Sequence, residues 1–342
     1  MHYWESPDLN LYFVTNKDCS VDENGAKRYK AKATAPEQFV TELQTDLVAL
    51  GYMADKPTNK DGHFGGGTKR IVTRFQRHAL RPFRMDGDKA KVDLDEADQY
   101  SGEKDGVVTQ AVATEIRKWI DKGWKLPVGV VALEKIEPHD IGNNPKLRAD
   151  ARAAWQDIMQ SVTDAGGTLQ GKYGDVLRPL QKTTKVGASH YSVHYCGRAV
   201  DIAQNLYGVG KGRRYIAKKD VVDSKTYWVL YCKTQEQDGT QGAKVEKGDF
   251  KYITSFVGGS EAKVPAGYYI NLTELIVAGG FSRIKAQSGW ESSYNKSEWW
   301  HFQFNKDLQE TFQDELELIG FDEKTIRSRG WATDAELDHA PG

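Results

Sequence analysis

The chain has 342 residues, 39% hydrophobic and 28% charged, with a formal net charge of -1 at pH 7. That length suits two domains, each able to bury a core, and the charge balance gives no electrostatic reason to expect nucleic acid or an anionic membrane as partner. No apolar run approaches the roughly 18 residues of a membrane span, and Met1-His2-Tyr3-Trp4-Glu5 has neither the basic nor the apolar character of a secretory leader. The expectation is a monomer made in the cytoplasm without a signal peptide and without membrane insertion. Cys19, Cys196 and Cys232 are odd in number and far apart, so they read as free thiols.

Residues 1–35 are weakly patterned: Leu11-Tyr12-Phe13-Val14 reads as a short strand and Asp22-Glu23-Asn24-Gly25 as a turn, with no function assigned. From Pro36 the pattern is helical. Phe39, Val40, Leu43, Leu47 and Leu50 recur at helical spacing up to Gly51. Ile71, Val72 and Phe75 mark a second helix after the turn Asp61–Gly65. Val108, Val112, Ile116 and Trp119 mark a third after Asp105-Gly106. The charged stretch 81–104 reads as a solvated insertion. These helices make residues 36–126 one domain, ended by the linker Leu126-Pro127-Val128-Gly129.

The motifs Leu43-Gln44, Leu50-Gly51-Tyr52, Asp61-Gly62-His63-Phe64-Gly65, Phe75-Gln76 and Asp105-Gly106-Val107-Val108 run in the order of the small three-helix peptidoglycan-binding domain, which this region resembles over about residues 36–125. It departs from that pattern in the 81–104 insertion and in having Val112 where threonine is common. The resemblance implies bacterial peptidoglycan as partner.

In the second domain, 128–335, a long helix is expected from the cap Asn144 to Ala165, stopped by Gly166-Gly167. Strands are expected at Thr168–Leu169, Val200–Ile202, Tyr227–Tyr231 and Trp300–Phe304, and a helix at Leu272–Ala278 after Asn271. Helices and strands mix without a βαβ rhythm, so the fold class is α+β: a small three-helix domain, then a small antiparallel sheet with flanking helices.

Two segments carry chemistry: Ser192-Val193-His194-Tyr195-Cys196-Gly197-Arg198-Ala199-Val200-Asp201 and Glu298-Trp299-Trp300-His301. On a strand, Val200 and Ile202 share the core face, while Ala199, Asp201 and Ala203 share the other. Gly197 lets the chain bend His194 back beside Asp201. Trp300, Phe302 and Phe304 alternate with His301 and Gln303, so His301 faces away from the aromatic core. A regular strand would put Glu298 opposite His301, so a bend is expected at Glu298. Two imidazoles and a carboxylate make a three-ligand zinc site with one position open. Glu298 is the candidate base.

These segments resemble the SxHxxGxAxD and ExWH signatures of the D-Ala-D-Ala metallopeptidase family, over about residues 130–320 and with a long stretch, 202–297, between them. The resemblance implies a zinc metallopeptidase of peptidoglycan, an endolysin-like endopeptidase or a D,D-carboxypeptidase. One Zn2+ would be held by His194, Asp201 and His301, with Glu298 as base. Arg178, in Val176-Leu177-Arg178-Pro179, would steady the polarised carbonyl. A wall module without a leader fits a phage endolysin acting in the host periplasm, or an effector exported by another route. Ser192 suits a hydrogen bond to substrate or backbone, since a metal site needs no serine nucleophile. Trp299 suits either core or cleft wall and joins Ser192 as a candidate substrate contact. His190 reads as a cleft or surface residue, Cys196 as a non-ligand, Trp300 as core. The alternative is an inactive wall-binding protein that keeps the fold.

Overall fold

The computed structural model describes residues 2–6, 9–11, 19–21, 27–29, 37–86, 90–136, 144–169, 173–182 and 190–342. Tyr12–Val14, the turn expected at Asp22–Gly25 and the side chain of Cys19 lie outside the described residues. The chain divides into two compact units, Met1–Val130 and Val131–Gly342. Helices and small antiparallel sheets alternate through both, an α+β architecture. Among the described residues no helix is long and apolar enough to cross a membrane.

In the first unit the apolar stripes of α1 (Glu37–Ala49), α2 (Gly66–Ala79) and α3 (Gln110–Lys122) converge on one core. That core also takes Tyr3, Leu9 and Leu11 from the weakly patterned N-terminal segment. Asn10–Leu11 pairs with Val108–Thr109, and the Tyr3 hydroxyl donates to Asp46 at 2.8 Å. Residues 81–104 are largely exposed where described, as their charge suggests, but they are not a loop throughout. Phe83–Asp86 and Ala90–Asp93 form a hairpin, widened to three strands by Trp124–Lys125. Arg84 is buried beneath it, bonded to Glu115 at 3.1 Å and to the carbonyls of Ala79 and Arg81, with Trp119 4.8 Å away. Both Nη nitrogens of Arg84 are satisfied this way, while its buried Nε has no hydrogen-bond partner among the described residues, and charge alone does not reveal the burial of this residue.

One device holds the helices in order, and it occurs twice. Gln44 of α1 donates to the Asp61 carboxylate (2.8 Å) and the His63 carbonyl (3.1 Å), and accepts from the Gly62 N–H (2.9 Å). Gln76 of α2 does the same to Asp105 (3.3 Å), Val107 (2.9 Å) and Gly106 (2.8 Å). Each aspartate caps its own turn, at 3.0 and 2.8 Å. Both glycines have left-handed φ, 72° and 80°, and a Cβ there would strike the helix one and two turns before the glutamine: Glu37 and Thr41 in one copy, Lys69 and Thr73 in the other. The buried glycine N–H groups have these glutamines as acceptors. Gln44→Ala and Gln76→Ala should therefore each destabilise the protein by about 1–3 kcal/mol in chemical denaturation. A loss below about 0.5 kcal/mol for both, the level of an ordinary surface change, would show that the clamps do not hold the turns.

The second unit is built round α4 (Ala149–Asp164), capped at Arg148, four residues beyond the cap that the sequence suggests. Asn144 has left-handed φ (52°), and Lys146–Arg148 instead pairs with Leu133–Lys135. Proline at 145 and a capping asparagine mimic a helix start, but this pairing and the burial of Arg148 claim the segment. Trp155, Ile158 and Val162 of α4 pack with Val200, Ile202, Phe302 and Phe304. Thr168–Leu169 is not a strand. The long stretch 202–297 supplies a four-stranded antiparallel sheet in the order Tyr215–Val222, Lys225–Lys233, Gly267–Asn271, Ala243–Val245. It also supplies the hairpin Lys251–Ser255/Ser260–Lys263 and α5 (Leu272–Ala278), capped by Asn271 as expected. The short helices α6 (Phe312–Leu318), α7 (Glu323–Ser328) and α8 (Asp334–Leu337) close over Tyr195 and Cys196.

Candidate metal centre

A three-stranded antiparallel sheet orders Ala199–Asp201, His301–Phe304 and Phe281–Arg283, with His301–Phe304 in the middle. Its register sets Asp201 directly across from His301 and Val200 across from Phe302. Because side chains alternate, Val200 and Phe302 enter the aromatic core while Asp201 and His301 meet on the other face.

His194 arrives from outside the sheet, on the 3-10 turn Val193–Cys196. Ser192 caps the turn, its Oγ accepting from the His194 N–H at 3.4 Å, and Gly197 ends it at φ 66°. A Cβ on Gly197 would approach Leu133 and the Arg148 backbone within 3.0 Å, so the bend requires glycine. Residues 174–178 lace turn to strand. Gly174 N–H donates to the Asp201 carbonyl and Asp201 N–H to the Asp175 carbonyl, each at 2.9 Å. Arg178 N–H donates to the His194 carbonyl at 3.3 Å. The Val176 carbonyl lies 2.8 Å from His194 Nδ1, which fixes that nitrogen as donor and turns the Nε2 lone pair inward.

Three donor atoms thus face one another: His194 Nε2 to His301 Nδ1 3.2 Å, His194 Nε2 to Asp201 Oδ1 3.2 Å, and His301 Nδ1 to Asp201 Oδ1 3.0 Å. A tetrahedral zinc with arms of about 2.0–2.1 Å separates its ligands by roughly 3.3 Å, so donor type and spacing both fit. Behind the ring, His301 Nε2 lies 3.4 Å from Gln303 Oε1. Burial works against the charge of Asp201, yet the two imidazoles hold its carboxyl well below the usual carboxylate range. Burial pulls the pKa of His194 down despite Asp201, favouring the neutral, ligating ring.

Glu298 precedes His301 on the bend expected there. Its φ is 53°, its carbonyl accepts from the His301 N–H at 3.2 Å, and Gln287 donates to its carboxylate at 2.6 Å. Burial lifts its carboxyl above the ordinary value; His301 opposes that lift and Asp201 adds to it. Arg178 stands at the rim, bonded to Asp175 (2.7 Å) and Ser192 (3.4 Å), with Nη2 3.9 Å from Asp201 Oδ2. His190 is exposed. Cys196 and Cys232 are unpaired and buried, and burial raises both thiols, Cys232 to about 11.

Trp299 does not line a cleft. It is 2% exposed, stacked with Phe256 and tilted against Tyr207, and its indole N–H reaches the Tyr294 hydroxyl at 3.1 Å, so its surface is spent in the core. Sequence reasoning missed Asp175, Val176, Gln287 and the role of Gln303. Only Gln303 carried a signal, sharing the His301 face two residues on. Arg198, inside the first motif, is a buttress: it bonds buried Glu315 at 2.7 Å and the carbonyls of Phe304, Lys306 and Asp307.

Residues 36–80 match the family model described as a putative peptidoglycan binding domain, so the N-terminal unit is similar to that family over those residues. No curated protein and no solved structure matches the chain.

The backbone of Glu298 yields a prediction. Left-handed φ costs a residue with a Cβ roughly 1 kcal/mol relative to glycine. Glu298→Gly should be more stable than Glu298→Ala by about that amount in thermal or chemical unfolding, since both lose the same carboxylate. Equal stabilities would mean that the bend is unstrained.

Proposed function

We propose that the C-terminal unit is a zinc-dependent peptidase that hydrolyses amide bonds in the stem peptides of peptidoglycan, while the N-terminal unit holds the polymer. The observation that carries this is the trio of donors from His194, Asp201 and His301 at 3.0–3.2 Å, with Glu298 and Arg178 beside it. The ordered motifs of both segments and the wall-binding domain support the same reading.

Bound zinc supplies Lewis acidity, which polarises an amide carbonyl and makes water nucleophilic near neutral pH. Glu298, its proton affinity raised by burial, takes the proton of the attacking water and returns it to the leaving amine. Gln287 keeps that carboxylate aimed. Arg178, held by Asp175 and Ser192, steadies charge gathering on the carbonyl oxygen. Tethering raises local substrate concentration without touching the chemical step, which favours polymeric wall over a free dipeptide.

The test is mass spectrometry of fragments released from purified peptidoglycan and from soluble stem peptides by the zinc-loaded chain. Cleaved stems are expected. One bound zinc with no cleavage of either substrate would leave a wall-binding protein and refute the enzyme. Glu298→Gln should keep zinc and wall binding but lose roughly 100- to 10,000-fold in turnover, whereas His301→Ala should lose the metal. Residues 1–130 alone should sediment with purified peptidoglycan, and residues 131–342 should clear whole wall poorly while still cleaving soluble peptides.

A further inference from the structure

The loop after the strand that carries Asp201 has chemistry the metal centre does not use. Gly208-Val209-Gly210-Lys211-Gly212-Arg213-Arg214 sets three cations within four residues, and positions 209–213 are exposed. Its three glycines have φ of 109°, 116° and 77°, and a Cβ on any of them would meet nothing within 4 Å. Glycine is therefore needed for the path of the chain, and the loop stands clear in solvent. Its neck is pinned. Gly208 N–H donates to the Tyr215 carbonyl and Arg214 N–H to the Leu206 carbonyl, both at 2.7 Å, and Lys233 N–H donates to the Arg214 carbonyl at 2.8 Å. The Arg213 guanidinium bonds the Asn205 carbonyl, and that of Arg214 reaches the Thr234 carbonyl at 3.4 Å. Among the described residues none of the three cations has a carboxylate partner.

The loop follows directly on the strand that carries Asp201. Leu206, at its neck, is five residues beyond Asp201, a stretch that cannot span more than about 18 Å. Between them, Gln204 and Asp201 both border Gly174: the position of a Cβ there lies 3.6 Å from both Gln204 Nε2 and Asp201 Oδ2. The Gln204 side chain makes no hydrogen bond among the described residues. The Gln204 amide and three cations without carboxylate partners thus follow Asp201 within thirteen residues of chain, and the Arg213 guanidinium is folded back onto the carbonyl of Asn205, four residues from Asp201.

We propose that this loop binds side-chain carboxylates of the peptide substrate and selects acidic stems over amidated ones. The proposal rests on the peptidase reading for what the peptide is. Each exposed contact is worth a fraction of a kcal/mol, so three together give roughly a fivefold preference, weakened by salt.

Titration calorimetry on the full chain with Glu298→Gln, which keeps the peptide intact, tests it. The probes are L-alanyl-γ-D-glutamyl-L-lysyl-D-alanyl-D-alanine with the D-glutamyl α-carboxyl free, and the same peptide with that carboxyl amidated. The acid should bind about fivefold more tightly. K211Q/R213Q/R214Q should bring the ratio to about one with zinc content unchanged, and Lys211→Gln, which breaks no hydrogen bond, should bring it part way. A ratio near one before any loop substitution, as expected of a loop serving a phosphate-rich polymer, overturns the proposal, and so does a ratio that survives the triple change. Zinc content, measured on the same samples, decides the peptidase reading separately: no zinc with His194, Asp201 and His301 intact sinks that reading, whatever the ratio.

Discussion

Two imidazole nitrogens and a carboxylate oxygen, all rich in lone pairs, are packed about 3 Å apart with almost no access to water. Polar atoms buried this way are satisfied either by a proton held between an imidazole and the carboxylate, the His301 Nδ1–Asp201 Oδ1 pair being at hydrogen-bond distance, or by a cation among them. Much of the C-terminal unit holds this geometry in place. The sheet register opposes Asp201 to His301, the 174–178 lace fixes His194, and Arg198 with Glu315 ties the intervening turn to the strand end. The first motif accordingly spends as many residues on support as on chemistry.

Glu298 adds a local cost. Its left-handed backbone departs from what strands and helices prefer, and it lies on the approach to His301, where a regular strand would have carried its carboxylate to the opposite face. Residue identity and backbone are thus in tension at this position, and the surrounding packing of Trp299 and Trp300 absorbs it. Local rules tend to break where a protein has other work for a residue.

The donors were legible because strand alternation is strict: His301 beside Phe302, and Asp201 beside Val200, had to leave the core face. The bend at Glu298 followed from the same parity argument. Trp299 was not legible, since an aromatic next to a bend is equally suited to either side, and only the neighbours Tyr207 and Phe256, distant in sequence, decide for the core. The start of α4 was misjudged because Asn144-Pro145 obeys capping rules that pairing with Leu133–Lys135 overrides. The hairpin that begins the 81–104 stretch was not legible because composition does not reveal that Arg84 has Glu115, two indoles and backbone carbonyls around it.

The paired glutamine clamps of the N-terminal unit tolerate unequal spacing. Glutamine and aspartate are 17 residues apart in the first copy and 29 in the second, and the second copy is the one interrupted by the Phe83–Asp93 hairpin. The same clamp thus closes over connections of different length, so the chain between α2 and α3 can carry a hairpin while Gln76 still holds the turn before α3.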